Sequence, residues 1–277
     1  MTLFQTALFA GVLVGVLSGF VGALVVLRRR AFFTVALTHA TFPGGVAAAI
    51  FGVNIVIGAA VMGVALVALM VMLGRIQRQG RQVAAGIVLS FGYALGVFLH
   101  ALNPQLPVKV ESYLTGSILA IPSANITFIG VALAITCLVY LAFWKQLLYS
   151  TFDRQGFVAS GYREWRTEAM VLLLITLAVV ATMPAIGSIL AIAMLAAPAA
   201  AARILTQRIE WLVPLAGVLG AGSAVFGLYA SRWFDVAAGG AMALTATGVF
   251  ALAWLWSWGV SGLRNWRNQR QRRTNLA

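Results

Sequence analysis

The chain has 277 residues but only two histidines, one cysteine and six acidic residues, so the side chains able to hold a metal or move a proton are few. His39 is the most informative of them. It lies in Thr34-Val35-Ala36-Leu37-Thr38-His39-Ala40-Thr41-Phe42-Pro43-Gly44-Gly45, inside a stretch, 31–74, that holds no Asp, Glu, Lys or Arg. An ionisable group in an apolar run carries a desolvation cost that packing alone does not repay. Thr34, Thr38 and His39 fall within one helical turn, Thr41 lies just beyond, and Pro43 breaks the helix. Such a patch can line a permeation path, with Thr34, Thr38, His39 and Pro43 as its residues and the neutral imidazole of His39 as a candidate ligand group. The competing reading is a packing histidine bonded to a nearby carbonyl. His100, beside Asn103 and Pro104, reads as an interfacial residue.

Other chemistry is excluded by spacing. Neither histidine is followed by Glu, which removes the H-E-x-x-H zinc site, and Lys109 and Lys145 follow Val108 and Trp144, which removes a Gly-Lys phosphate loop. The chain is therefore not expected to hydrolyse ATP by itself, and no catalytic residue is assigned. Ser18, Ser117 and Ser223 could serve an intramembrane hydrolase only with a histidine, and none sits in a recognisable nucleophile turn. Cys137 is single and surrounded by apolar residues, so a disulfide framework or thiolate site within one chain is also out.

The elements that must position His39 follow from composition. Apolar residues make up 62% and charged residues 9%, where a soluble domain carries about 25% charged. Charge-free stretches at 31–74, 82–108, 112–144, 169–202, 211–231 and 236–263 have membrane lengths. A hydrocarbon core about 30 Å thick needs about 20 apolar residues per helix. The spans are read at 3–27, 31–52, 54–74, 83–101, 123–143, 167–183, 186–205, 211–230 and 236–258. The fold class is all-α, a polytopic helical membrane protein. It has eight or nine transmembrane helices, because Met183, Pro184 and Gly187 mark the only turn between the sixth and seventh. Gly11, Gly15, Gly19 and Gly22 recur at helical spacing and predict a first helix buried among others.

Charge sets the expected topology. Threading the spans from an outside N-terminus places all the Lys and Arg residues except Lys109 and Arg232 in the cytoplasm, together with the C-terminus. The formal charge of +13 is then topological, a matter of anionic membrane lipid and helix orientation, and nucleic acid is not expected as a partner. The basic cluster after the first apolar run also argues against a secretory signal. One transmembrane domain, 1–258, includes a cytoplasmic region at 144–166, and a basic cytoplasmic tail occupies 259–277. Within 150–166, Phe152, Phe157, Tyr162 and Trp165 supply apolar anchors, with Asp153, Arg154, Arg163 and Glu164 for polar contacts. At the outer mouth, Glu111 and Asp235 are the only acidic residues, and Arg232 stands one turn from Asp235, where it could pair with it.

The order of these features resembles the permease subunit of the manganese/zinc/iron class of bacterial ABC importers, from about residue 8 to 258. Arg28-Arg29 ends the first helix as in that family, and Val35-Ala36-Leu37-Thr38-His39-Ala40-Thr41-Phe42-Pro43-Gly44 is similar to its Asp-Ala-Leu-Ser-His-Ala-x-Leu-Pro-Gly. Ser112-Tyr113-Leu114-Thr115-Gly116-Ser117-Ile118-Leu119 is similar to its Tyr-Leu-Phe-Gly-Ser-Leu-Leu segment, and Phe152-Asp153 with Gly161 to its cytoplasmic Phe-Asp…Gly element. Gly187-Ser188-Ile189-Leu190 through Pro198 to Arg203, and Asp235-Val236-Ala237-Ala238-Gly239, complete the series.

The resemblance implies a homodimer around a central path, a separate ATP-binding cassette ATPase and an extracytoplasmic substrate-binding protein that delivers a divalent metal or metal chelate. ATP would be bound by the partner, with no permanent cofactor in this chain, and the location would be the bacterial plasma membrane. Phe152, Asp153, Phe157 and Gly161 would couple to the ATPase. One position departs from the family: Val35 stands where the pattern has Asp, which removes a hard oxygen ligand from the face that carries His39. The rival function is an ATP-independent carrier or channel.

Overall fold

The computed structural model describes residues 3–73, 81–105 and 116–274. Eleven α-helices run through them: α1 (Leu3–Leu27), α2 (Ala31–Ala40), α3 (Phe42–Ile50), α4 (Ile55–Leu73), α5 (Arg81–Leu102), α6 (Ser123–Phe152), α7 (Arg154–Ala159), α8 (Glu164–Ile186), α9 (Ser188–Leu205), α10 (Ile209–Phe234) and α11 (Ala238–Thr274). A single 3-10 turn covers Ile118–Ala120. Among the described residues nine helical segments are long and apolar enough to cross a membrane, and α2 and α3 together make one of them. The doubtful sixth and seventh spans both form. Gly187, at φ +82°, ends α8 and opens α9, a backbone conformation that glycine adopts without a Cβ clash. Such lengths follow from the lipid constraint, which leaves backbone polar groups no partners except within the helix.

The bundle is organised around α1. It packs against α10 along its length and also against α9, α6 and α8. The glycine seam predicted from spacing is what allows this. A Cβ on Gly15 would overlap the carbonyl of Gly220, one on Gly19 that of Ala216, and one on Gly22 that of Leu195. Backbones thus touch where side chains would hold them apart, which is how helices gain dispersion contacts when the surrounding lipid is as apolar as they are. The seam continues where α10 and α11 meet, with Gly227 against Met242.

A second group of helices, α2 to α5, leans on this centre through α8 and α9. Gly44 and Gly58 bring α3 against α4, and Gly92 brings α5 against Ala40. The last helix runs on beyond its membrane span. It continues without a break from the ninth span to Thr274, across the boundary expected at 258.

Candidate functional site

The residues assigned to a permeation path lie on a span that is broken. Thr41 separates α2 from α3, and Pro43 sits in the first turn of α3, where its missing N–H costs nothing. Thr34, Thr38, Thr41 and Pro43 are all buried inside the chain. Each threonine hydroxyl turns back on its own helix: Thr34 donates to Arg30 O at 3.1 Å, Thr38 to Val35 O at 2.8 Å and Thr41 to Thr38 O at 3.4 Å. They are therefore satisfied inside the bundle. Of the four residues expected to line a path, only His39 reaches a partly open face.

His39 has a defined orientation. Its Nδ1 is 3.1 Å from Val35 O and 3.1 Å from Thr38 Oγ1. A carbonyl only accepts, and the Thr38 hydroxyl already donates to the same carbonyl, so the consistent assignment puts the proton on Nδ1. That leaves the Nε2 lone pair as the acceptor or ligand. A ring nitrogen held by a backbone carbonyl is the usual support of a metal-binding imidazole. Tyr93 on α5 meets the His39 ring edge to face with centroids 6.0 Å apart, and Phe42 packs on the same tyrosine. Val35 shares the half-buried face of His39, so the position that the resemblance would give to a carboxylate is presented beside the imidazole. No group of three His, Cys, Asp or Glu side chains comes together among the described residues.

The segment between α6 and α8 forms a compact unit. Asp153 ends α6 and caps α7, its Oδ1 accepting from Gly156 N at 2.8 Å. Phe157 is only 1% exposed, meeting Tyr149 edge to face at 5.6 Å and stacking on Tyr162 at 4.8 Å. Phe157, expected as an apolar anchor, turns inward and holds the unit together, while Phe152, Val158, Tyr162 and Trp165 present the exposed apolar surface. Gly161 takes φ +83° in the turn that leads to α8.

Sequence reasoning missed the ion cluster beneath this unit. Arg28 and Arg30 both pair with Glu168 on α8, and Arg28 also donates to Leu147 O at 3.2 Å and to Ser150 Oγ on α6. The signal was present, since Glu168 is the acid that opens a span on the same side as the Arg28-Arg29-Arg30 run. Burial lowers the Arg28 pKa, and the Glu168 carboxylate opposes that shift.

At the other end, Asp235 is exposed and caps α10 in the left-handed region at φ +51°. The pairing expected with Arg232 does not form. The Arg232 guanidinium lies 4.9 Å over the ring of Phe4, where a cation–π contact takes the place of the ion pair. Glu111 lies outside the described residues.

A multi-pass helical bundle with a partly open histidine on a broken span and a folded loop unit has the build of a transporter's membrane subunit. Residues 1–257 match the family described as ABC 3 transport family, and the chain belongs to that family. It is 35% identical over 254 residues to the manganese transport system membrane protein MntC of Listeria monocytogenes, covering 91% of this chain and 90% of that one. It is 33% identical over 255 residues to the zinc transport system membrane protein TroC of Treponema pallidum, covering 88% and 86%. Among solved structures, PsaBC from Streptococcus pneumoniae in complex with Fab superposes with a TM-score of 0.80 at 31% identity, covering 91% of each chain.

Proposed function

We propose that the chain is the permease subunit of an ATP-driven importer of a divalent metal, either manganese, zinc or iron, or of a chelate of one. Two copies form the path in a bacterial plasma membrane, with the N-terminus outside and the C-terminus in the cytoplasm, the arrangement that puts most of the basic residues inside. A separate ATP-binding cassette subunit docks on the 150–166 unit, and an extracytoplasmic binding protein delivers cargo at the mouth that carries Glu111 and Asp235. The relatives' names support the cargo class.

The observation that carries the reading is the His39 geometry: Nδ1 held by Val35 O, Nε2 left to bind, on a partly open face beside Tyr93. With Val35 in place of a carboxylate, one imidazole per chain makes a weak contact, suited to a path that must release what it binds. The test is uptake by the assembled complex in proteoliposomes, with and without ATP, for Mn²⁺, Zn²⁺, Fe²⁺ and iron chelates. ATP-dependent uptake of at least one of these, lowered about tenfold or more by His39→Ala with assembly and basal ATP hydrolysis kept, is expected, the loss of one good ligand contact being worth about 1.4 kcal/mol or more. Val35→Asp should tighten binding of a bare ion. Uptake that runs without ATP would favour a carrier or channel, and full uptake by His39→Ala for every cargo would leave His39 a packing residue.

A further inference from the structure

The turn between α1 and α2 forms a cleft whose chemistry the importer reading does not use. Arg28, Arg29 and Arg30 line it together with Phe32 and with Gln82 on α5, around a cavity of about 190 Å³. Glu168 is the carboxylate paired with Arg28 and Arg30, so the three guanidiniums leave an excess of positive charge. Glu164, which also acts on Arg28, is paired with Arg154 at 2.7 Å. The Arg28 side chain is only 9% exposed, yet its Nε–H has no acceptor among the described residues. Arg29 is exposed and stands at φ +54°, a left-handed position that glycine would occupy at lower cost. Helix α2 starts here with no side-chain cap, adding the partial positive charge of an uncapped helix start to the same cleft.

An apolar groove adjoins it. Phe32 and Val83, 43% and 58% exposed, line it with Gln82, which belongs to both spaces. The basic cleft directly follows the last residue of the first membrane span, Leu27, and opens beside α5 at the start of its own span. A phosphate-binding head next to an apolar slot at a membrane edge matches one amphipathic ligand.

We propose that this cleft binds the phosphate of an anionic phospholipid headgroup, with an acyl chain along the Phe32–Val83 groove. Arg29 supplies the free guanidinium, the Arg28 Nε–H and the start of α2 complete the donor set, and Gln82 contacts the glycerol region. The site is independent of the cargo. It places a lipid contact against the Arg28/Arg30–Glu168 cluster that joins α1, α2 and α8, so lipid composition acts on the packing of the broken span.

The test uses the full-length permease assembled with its ATPase, purified and incorporated in nanodiscs of phosphatidylcholine with or without phosphatidylglycerol of the same acyl chains. Native mass spectrometry counts retained lipid, and a thermal melt reads stability. Wild type should retain phosphatidylglycerol about fivefold over phosphatidylcholine, and Arg29→Gln should bring the ratio close to one, the effect expected of one surface arginine facing an anionic lipid. Arg29→Lys should restore most of the preference, and the exposed position of Arg29 keeps all three proteins folded. Phe32→Ser should weaken retention of both lipids while keeping the headgroup preference. Equal retention of the two lipids by wild type, or an unchanged ratio in Arg29→Gln, would overturn the proposal. So would equal stabilisation by millimolar inorganic phosphate, which would make the ligand a free anion. Loss of ATPase binding in Arg29→Gln with lipid retention intact would reassign the cleft to a protein partner.

Discussion

Two regions of the bundle differ in how much of their surface the chain covers. Around α1, helices meet through glycine and alanine, and about two thirds or more of the first span and of α8 is buried. Helices α4, α5 and α6 instead keep most of their apolar surface open, with Ile57, Val61, Phe91, Phe98, Leu138 and Leu141 exposed. The closely packed half cannot shift without breaking backbone contacts, whereas the open half has faces to give to lipid, to a second copy or to movement. His39 sits where they join: α2 packs on α5 of the open half and on α8 and α9 of the close one. The transport contact proposed at His39 would then be moved by one half while held by the other.

The contrast is broken most severely at the seam. Gly22→Val should abolish accumulation of folded protein, because the added carbons run into the Leu195 backbone, and overpacking against backbone exceeds the usual cost of about 1–3 kcal/mol. Gly130→Val on α6, where a Cβ would meet nothing within 4 Å, should leave the melting temperature nearly unchanged. Similar losses from both substitutions, measured by size-exclusion profile and thermal melt, would remove the distinction between the halves.

Phe157→Ala follows in size. A buried aromatic that holds two neighbours should cost about 3–5 kcal/mol within its unit, read as faster proteolysis at 150–166 and loss of ATPase coupling together. Asp153→Ala removes only a cap and should cost about 1 kcal/mol, with partial uncoupling. If Phe157→Ala lowered ATPase binding but left proteolysis unchanged, Phe157 would be a direct contact after all.

The spans were legible because hydrocarbon thickness and desolvated charge act on any sequence alike: 3–27 and 186–205 were read within two residues of α1 and α9. The glycine seam was legible for a similar reason, since close approach leaves only small residues at the contact. Less of the site's geometry was legible. Nothing in Thr34 and Thr38 distinguishes a hydroxyl facing a path from one bonded to the preceding turn, because both satisfy the same donor. The Arg232–Phe4 contact joins opposite ends of the chain, and local spacing pointed to Asp235 instead. The inward turn of Phe157 was not legible, because aromatic residues in a short loop carry no period that would reveal which ring turns inward.

The smallest expected effect is at Asp235, and its backbone makes it a clean test of the outer mouth. At φ +51° the residue closes α10 in a conformation that favours glycine, and its carboxylate has no ion pair with Arg232, which is engaged by Phe4. Asp235→Gly should therefore keep or raise stability by a few tenths to about 1 kcal/mol while deleting the charge. Asp235→Asn keeps the side-chain shape and deletes the charge as well. If the carboxylate meets a basic patch on the binding protein, both variants lower that affinity about two- to fivefold, more at low salt than at high, as an exposed pair of modest strength should. If Asp235 only shapes the turn, affinity is unchanged in both and only the melting temperature moves. The outer mouth would then lack an electrostatic contact at the end of α10, and delivery of cargo would rest on Glu111.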